Sequence, residues 1–426
     1  MRIDHLTIQN FRGFELSEFE FNPHFNLVVG DNATGKTSVL DALSIAVGSW
    51  FLGMPGYVKV PGISSDEVRV IAHPYQDVYS FDKQFPSRIQ ARGIVMGQAL
   101  IWTRELSRVG GRTTSTSAQN VSSAATEAEV RARDGENITL PLICAYGTER
   151  LWFETTHRKS AKSKSHNNVL PSRLDGYRDC IDFTIKESAL LDWIRAEVSA
   201  SQQRGSETLA LRVIKQAIVD CVEGAESLYY DERYKDLVVS IKSYGQQLFQ
   251  NLSDGQRIML TLVGDLAKRA TTLNPHLGGK ALEETPGIVT IDELDLHLHL
   301  HPKWQRHVIH DLKATFPSLQ FIATTHSPQL IGEALPEEVV RLGQREPSHP
   351  AQSFGMDSNW ILRHVMGAED RDREVKVKLD EIESLINSFH LDTAQSKIDE
   401  LRSAIGNHPD LVRFSARIDR FSRKAQ

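Results

Sequence analysis

The feature that most constrains this chain is a glycine-containing loop that joins an apolar segment to a segment with helical spacing. The apolar segment covers residues 25–29, and apolar residues recur after the loop at Val39, Leu40, Leu43 and Val47. The loop matches GxxxxGK followed by Ser or Thr, and its residues are Gly30, Asp31, Asn32, Ala33, Thr34, Gly35, Lys36 and Thr37, with Ser38 next. A strand, this loop and a helix predict a phosphate-binding loop in an α/β fold.

Each residue type in this loop suits the binding of a nucleoside triphosphate. Glycines allow backbone N–H groups to wrap around phosphates, and the N-terminus of the following helix carries partial positive charge. We expect Lys36 to reach the β- and γ-phosphates of ATP and the Thr37 hydroxyl to ligate Mg²⁺. Residues 30–38 are therefore the candidate nucleotide-binding segment.

Two later apolar segments end in residues that suit hydrolysis. Residues 288–291 are followed directly by Asp292 and Glu293. A buried acidic pair is costly unless it serves a cation or a proton, so we expect Asp292 to hold Mg²⁺ through water and Glu293 to act as the base for the attacking water. Residues 321–325 form the second segment, which leads into His326, a candidate for sensing the γ-phosphate and holding that water.

A further segment, Leu252 to Arg257, opens a helix. Ser253 is a candidate N-cap, and small residues leave backbone N–H groups free for an anion. Taken alone, the segment is equally compatible with an ordinary capped helix. It resembles the LSxGQ signature of ABC ATPases, with Ser253, Gly255 and Gln256 in the matching positions. In that family the signature of one subunit covers the γ-phosphate held by the other, so the resemblance implies a homodimer or higher oligomer of ATPase heads.

Other segments narrow the resemblance. Residues 6–14 read LTIQNFRGF and resemble the opening of RecF/SMC-like ATPases, in which the arginine of the NFRG element lies close to the nucleotide; this implies Arg12. Residues 292–302 resemble a bacterial D-E-x-D-L-H-L-H-P block but are one His-Leu step longer, and Asp295 carries over as the D-loop residue. The roles of the histidines in this block stay open: His297, His299 and His301. Residues 145–152 also resemble this subgroup, and the glutamine of its switch loop is not assigned.

Over most of its length, including residues 353–360, the chain resembles the ATPase subunits of Septu-type anti-phage defence. That family works with a small HNH nuclease, so the resemblance implies a separate nuclease partner. The residues after His326 lack the spaced acidic cluster of a TOPRIM nuclease, and the chain contains no HNH pattern or zinc-ligand spacing. We therefore expect no nuclease activity in this chain itself.

The order of strands and helices predicts an α/β fold class with a parallel sheet. We expect an ABC-type P-loop ATPase head over residues 1–345, with a lobe inserted at about 51–240. Apolar residues spaced by three and four predict two or three amphipathic helices in the C-terminal region, residues 346–426. These helices either pack as a lid on the ATPase core or form a surface for a partner or for self-association.

Composition limits the partners and the compartment. The net charge of −6 gives no overall basic character, so any contact with DNA has to come from a local patch. A basic segment at 157–168 either contacts a phosphate backbone or is a solvated loop; its cations are Arg158, Lys159, Lys162 and Lys164. The three cysteines are far apart, the N-terminus lacks a signal-peptide pattern, and no run of about 18 apolar residues occurs. We therefore expect a cytoplasmic protein without membrane contact.

The motifs predict an Mg²⁺-dependent ATPase, and the family resemblance implies that it dimerises on ATP and regulates an associated HNH nuclease in bacterial anti-phage defence. Two alternatives stay open: a RecF-like DNA-repair ATPase that clamps DNA without a nuclease, and a nucleotide-binding scaffold with little turnover. A neighbouring HNH gene favours the first reading, and tight ATP-dependent DNA binding by the isolated chain favours the second. Undetectable turnover in the presence of partner and DNA favours the third.

Overall fold

The computed structural model describes residues 1–76, 78–147, 171–182, 187–222, 224–297, 305–343, 346–369 and 371–424. The chain divides into two compact units, Met1–Ser358 and Asn359–Gln426. The basic segment at 157–168, most of the segment at 145–152, and His299 and His301 lie outside the described residues.

The core of the first unit is a five-stranded parallel sheet. Its strands in spatial order are β14 (Val339–Arg341), β3 (Phe25–Val29), β13 (Leu319–Thr324), β12 (Gly287–Ile291) and β8 (Leu142–Tyr146). Every residue of β3, β8, β12 and β13 is buried, as expected for a parallel sheet covered on both faces. Because the carboxyl ends of parallel strands lie at one edge, the phosphate loop, the acidic pair and His326 come together there.

The first unit also contains a four-stranded antiparallel sheet. Its spatial order is β2 (Phe14–Glu20), β1 (Arg2–Phe11), β6 (Ser87–Val95) and β7 (Gln98–Leu106). Alternate residues of β6 are buried, which is the period of two that results when one face of a sheet covers a core. The turn between β1 and β2 carries Arg12.

The range predicted as an inserted lobe, residues 51–240, is not one separate insertion. β6 and β7 lie within that range and belong to the antiparallel sheet, and β8 pairs with β12 at the edge of the core sheet. The prediction was wrong because β6 pairs with β1 and β8 pairs with β12, and sequence spacing alone does not show pairing between strands that are far apart in the chain.

The remaining strands of the first unit form a hairpin and a three-stranded sheet. The hairpin joins β4 (Val70–Tyr75) to β5 (Val78–Lys83), and the sheet has the order β11 (Gly245–Leu248), β10 (Asp236–Ile241), β9 (Ala225–Asp231). The α-helices described in this unit are α1 (Lys36–Val47), α2 (Gln119–Arg133), α3 (Glu187–Arg204), α4 (Leu209–Cys221), α5 (Asp254–Leu273), α6 (Ala281–Glu284), α7 (Leu294–His297), α8 (Val308–Thr315) and α9 (Pro328–Glu333).

The first unit continues beyond the expected boundary at residue 345. Ser348 forms an antiparallel bridge with Arg341, next to the core sheet. The Ser353 hydroxyl donates a 2.7 Å hydrogen bond to the carbonyl of Ala334. These contacts tie residues 346–358 to the head rather than to the C-terminal helices.

From Ser358 onward the described residues contain helices and no strand. Its helices are α10 (Ser358–His364), α11 (Arg373–Asn387), α12 (Leu391–Ile405) and α13 (Pro409–Lys424). The last three share an apolar core built from the residues at three- and four-residue spacing, namely Leu379, Ile382, Ile386, Ala394, Ile398, Leu401, Leu411, Phe414 and Ile418. None of the helices in the described part of the chain is both long and apolar enough to cross a membrane.

Candidate nucleotide site

The phosphate loop has a backbone that requires its two glycines. Gly35 adopts φ of +97°, and a Cβ atom there would lie 2.8 Å from Cζ of Phe14. At Gly30 a Cβ atom would lie 2.7 Å from Oγ1 of Thr34 and 2.8 Å from the carbonyl oxygen of Leu342. Larger residues would therefore displace the loop from the end of β3.

The Lys36 ammonium lies folded over the loop. It donates hydrogen bonds of 2.8 and 2.9 Å to the carbonyls of Gly30 and Asp31, and only 7% of the residue is exposed. Burial lowers the pKa of Lys36, whereas the negative charges of Glu293 and Asp292 oppose that shift. Weak backbone acceptors hold this cation, so phosphate oxygens would be stronger partners for it.

Asp292 connects the acidic strand to the phosphate loop. Its carboxylate accepts hydrogen bonds from Oγ1 of Thr37 at 3.2 Å and from Oγ1 of Thr324 at 2.6 Å. Mg²⁺ prefers octahedral oxygen ligands at about 2.1 Å, which places neighbouring ligands about 3 Å apart. The separation of the Thr37 and Asp292 oxygens is close to that value, so these residues fit the ion that the sequence implies.

Glu293 lies beside Asp292 in a strained backbone conformation. Its φ is +50°, and its N–H donates a 2.6 Å hydrogen bond to the Thr324 hydroxyl. Burial and then the negative charges of Asp292 and Asp295 raise the pKa of Glu293, whereas His326 and Lys36 act in the opposite direction. A carboxylate with a raised pKa is a better proton acceptor, as a general base requires.

Asp295 fixes the end of β13. One carboxylate oxygen accepts hydrogen bonds from the Thr325 hydroxyl at 2.6 Å and from the His326 N–H at 3.1 Å. The backbone of His326 is thereby held next to the acidic pair, and its side chain is close enough to influence the pKa of Glu293. The predicted residues Lys36, Thr37 and the acidic pair are therefore brought together with His326 and Asp295 at one sheet edge.

Arg12 lies in an acidic surrounding. Its guanidinium is 2.8 Å from the Asp41 carboxylate and 3.1 Å from the Glu67 carboxylate. Burial raises the pKa of Asp41 to about 6; Arg12 opposes this shift, and the negative charges of Glu67 and Asp292 add to it. The carboxylates of Asp41 and Asp292 thus crowd one region, which would accept added positive charge readily.

The signature segment lies apart from these residues. Ser253 caps α5 through a capping box with Gln256: the Gln256 N–H donates to the Ser253 hydroxyl at 3.4 Å, and the Ser253 N–H donates to the Gln256 side chain at 3.2 Å. The N–H groups of Asp254 and Gly255 at the helix start are not used by this box. No hydrogen bond or ion pair between described residues joins 252–257 to the phosphate loop.

The position of α5 explains this separation. The Tyr146 hydroxyl at the end of β8 donates a 3.0 Å hydrogen bond to Asp265 of α5. β13 and β12 lie between β3 and β8 in the core sheet. At the usual spacing of about 4.8 Å between neighbouring strands, β3 and β8 are therefore about 14 Å apart. The signature helix is therefore attached to the edge strand β8, which two strands separate from β3 and the phosphate loop.

A comparison with protein families decides where this chain belongs. The sequence profile described as AAA domain matches residues 5–223, which is more than half of the chain. The chain belongs to the AAA domain family. A second AAA domain profile matches residues 148–332. The predicted fold class, an α/β P-loop ATPase head of the ABC type, is confirmed by this match and by the parallel sheet that carries the phosphate loop.

Individual relatives of this AAA domain protein agree with that assignment. It is 25% identical over 440 residues to the Retron Ec83 probable ATPase of Escherichia coli, a match that covers 88% of this chain and 78% of that protein. It is 31% identical over 199 residues to the Retron Vc95 probable ATPase of Vibrio cholerae, covering 44% of this chain and 37% of that protein. It is 34% identical over 145 residues to the Septu protein PtuA of Bacillus thuringiensis, covering 32% of this chain and 36% of that protein.

The chain spans little more than a third of the length of the last two relatives. The predicted resemblance to Septu ATPases is confirmed, whereas the similarity to retron ATPases was not foreseen. Among solved structures, the SMC head domain from Thermotoga maritima is similar at 14% identity and a TM-score of 0.45, covering 81% of this chain and 96% of that chain.

Sequence reasoning on this AAA domain protein missed several residues of the site. Thr324 and Thr325 hold the two aspartates, and their only signal was a position at the end of the apolar strand before His326. Asp41 follows Thr37 by four residues, so helical periodicity could have placed it on the same face of α1. Glu67 is distant in sequence, and no pattern pointed to it.

Proposed function

We propose that this chain binds ATP with Mg²⁺, hydrolyses it, and pairs with a second copy of itself through the ATPase head. The observation that carries this proposal is the contact of Asp292 with Thr37. That contact places a carboxylate and a hydroxyl at the spacing of neighbouring Mg²⁺ ligands, next to Lys36 and Glu293.

Each residue then has a chemical role. Lys36 leaves the loop carbonyls to bind the β- and γ-phosphates, while the backbone of residues 30–38 surrounds them. Mg²⁺ bound near Thr37 and Asp292 would neutralise phosphate charge. Glu293 accepts a proton from the attacking water, and its raised pKa suits this role. His326, held by Asp295 through its backbone, orients that water.

The pairing follows from the place of the signature. Ser253 is exposed, and α5 is attached to β8, away from the phosphate loop of its own chain. The unused N–H groups at the start of α5 suit the γ-phosphate of a nucleotide bound to another copy. Ser253, Gly255 and Gln256 would therefore complete the site of the partner copy.

We further propose that the ATPase regulates a separate HNH-type nuclease in defence against phage. The support is the resemblance to Septu ATPases and the similarity to proteins named as retron ATPases and PtuA. The C-terminal helical unit is the proposed surface for the nuclease, because it forms its own core and still exposes apolar residues such as Val377 and Val412.

The ATPase proposal is tested by phosphate release from ATP with and without EDTA. We expect release that depends on Mg²⁺ and that disappears in Glu293→Gln. Absence of release with DNA and the HNH nuclease both present would contradict the proposal and favour a nucleotide-binding scaffold.

The partner proposal is tested by co-expressing this chain with a Septu-type HNH nuclease and measuring co-purification. Val377→Asp together with Val412→Asp should abolish co-purification and leave ATP binding intact. Tyr244→Asp is the matched control, since Tyr244 is 74% exposed and lies on the first unit. Unchanged co-purification by the double variant would remove the C-terminal unit from the proposal.

A further inference from the structure

A chain of contacts links the candidate metal site to the signature helix. The N–H of Asp292 donates a 2.8 Å hydrogen bond to the carbonyl of Tyr146, at the point where β12 and β8 end side by side. The hydroxyl of the same tyrosine donates to Asp265 Oδ2 at 3.0 Å. Tyr146 therefore contacts the metal-site strand through its backbone and α5 through its side chain.

Asp265, at the far end of this link, is held in place by Arg269. Arg269 lies 2.8 Å from the same Asp265 oxygen, and its Nη1 donates to the carbonyls of Gly176 and Arg178 at 2.9 and 3.0 Å. The side chains of Asp265 and Arg269 are only 13% and 14% exposed. Burial opposes ionisation of Asp265, but Arg269, Lys268 and the Tyr146 hydroxyl together hold the pKa of that carboxyl below its usual value.

The segment that holds Arg269 also returns to β8. The N–H of Ala145 donates a 2.9 Å hydrogen bond to the carbonyl of Cys180, two residues after Arg178. The end of β8 is thus joined to α5 twice, directly through Tyr146 and indirectly through residues 176–180. A displacement of this strand end would be passed to the helix, because closely packed and hydrogen-bonded elements move together.

α5 carries any such displacement to the signature. The helix runs without interruption from Asp254 to Leu273, and most of its length is buried. Asp265 lies eleven residues after Asp254, which corresponds to about 17 Å along the axis. The start of α5 is the part that the proposed second copy would meet.

We propose that Tyr146 is a positioning residue that couples nucleotide binding at one phosphate loop to presentation of the signature to the second copy. This inference rests on the proposed function, because it needs a paired ATPase. When MgATP binds near Thr37 and Asp292, the end of β8 adjusts with Asp292. The Tyr146 hydroxyl then sets the position of α5 through Asp265, so a head presents its signature best when its own site is loaded.

Tyr177 provides the control: it lies within residues 176–180, but that segment contacts α5 and the end of β8 through backbone carbonyls, which Tyr177→Phe leaves in place. The Tyr177 hydroxyl donates a 2.8 Å hydrogen bond to the carbonyl of Pro141, just before β8 begins, and its side chain is fully buried. Tyr177→Phe and Tyr146→Phe each remove one buried hydroxyl next to β8. Only Tyr146→Phe removes a contact that joins the metal-site end of the strand to α5.

The test uses the full chain in the Glu293→Gln background, with dimer formation measured by analytical ultracentrifugation at saturating MgATP. Adding Tyr146→Phe should raise the dimer Kd about tenfold or more, because a hydrogen bond to an ionised carboxylate is lost. Nucleotide affinity at protein concentrations below dimer formation should change less than twofold. Adding Tyr177→Phe should leave both quantities unchanged.

An unchanged dimer Kd in the Tyr146 variant would overturn the inference while leaving the paired ATPase intact. An equal loss in the Tyr177 variant would also overturn it, since the effect would then reflect general packing. If Glu293→Gln alone forms no dimer with ATP, the proposed pairing fails and the inference fails with it. If Tyr146→Phe has the lower Tm, both variants are compared well below that Tm, where both are folded.

Discussion

The phosphate loop and the start of α5 both suit the binding of phosphate, but they are organised in opposite ways. At the phosphate loop, contacts of Lys36, Thr37 and Asp292 join three segments of the same chain, and Lys36 and Asp292 are buried. At the start of α5, Ser253 is exposed, and its hydroxyl bonds to Gln256 within its own helix turn. The first region is assembled within one chain, and the second presents a helix terminus outward.

This difference distinguishes the proposed steps that one chain can perform alone from those that would need two copies. In the proposed function, binding of nucleotide and metal would need only groups that one copy brings together at a single sheet edge. Completion of the site would need the exposed terminus of another copy. Changes in the first region should therefore affect a monomer, and changes in the second should appear only when two copies meet.

The largest effect is expected from Glu293→Gln. Turnover should fall by about 10²–10⁴-fold, the usual contribution of a general base, while ATP still binds. Because the pKa of Glu293 is raised, wild-type turnover should fall on acidification at a higher pH than an ordinary glutamate would give. Steady-state phosphate release across pH checks both points.

The control for this change is Glu283→Gln, an exposed carboxylate in α6, which should keep wild-type turnover. Turnover by Glu293→Gln within a few-fold of wild type would exclude Glu293 as the base.

Lys36→Ala should weaken ATP binding by about 100-fold, because a buried cation that pairs with phosphate oxygens is removed. Calorimetric titration with ATP measures the affinity. Lys59→Ala, at an exposed lysine of the same unit, should bind ATP like the wild type. Equal affinity of the Lys36 and Lys59 variants would show that the loop does not hold the phosphates.

Ser253→Ala addresses the second region and should lower turnover about tenfold with unchanged affinity of the isolated chain for ATP. It also removes a helix cap, which costs about 1 kcal/mol of stability. Thr208→Ala removes the cap of α4 at a similar cost and should not affect turnover. If both variants lose turnover equally, cap loss explains the result and the signature has no role in the reaction.

The smallest effect is expected at Asp41, whose carboxylate is influenced by those of Glu67 and Asp292. The pKa of Asp41 is raised to about 6, so its contribution to stability is full at low pH and is lost as pH rises through about 6. The wild type should lose about 1 kcal/mol of unfolding free energy between pH 5 and pH 8 because of Asp41, and Asp41→Asn should not show this loss. Urea unfolding at pH 5 and pH 8 measures the unfolding free energies. An equal difference between Asp41→Asn and wild type at both pH values would contradict the raised pKa of Asp41.

Local patterns predicted the phosphate loop, the acidic strand end, the cap at Ser253 and the C-terminal helices, because each depends on neighbours in sequence. Contacts between distant segments could not be predicted in the same way. Thr324 with Asp292, and Arg12 with Glu67, arise from strand order and from how connections return to the sheet. The prediction of an inserted lobe at 51–240 was wrong for the same reason, because β8 is a core strand whose neighbour β12 is far away in sequence.

The pairing of two heads on ATP is tested by the mass of Glu293→Gln in solution, measured by light scattering with and without saturating MgATP. We predict the mass of one chain without nucleotide and of two chains with it, and Ser253→Ala should weaken that change. A mass of one chain with ATP demonstrably bound would contradict the claim that a second copy completes the site.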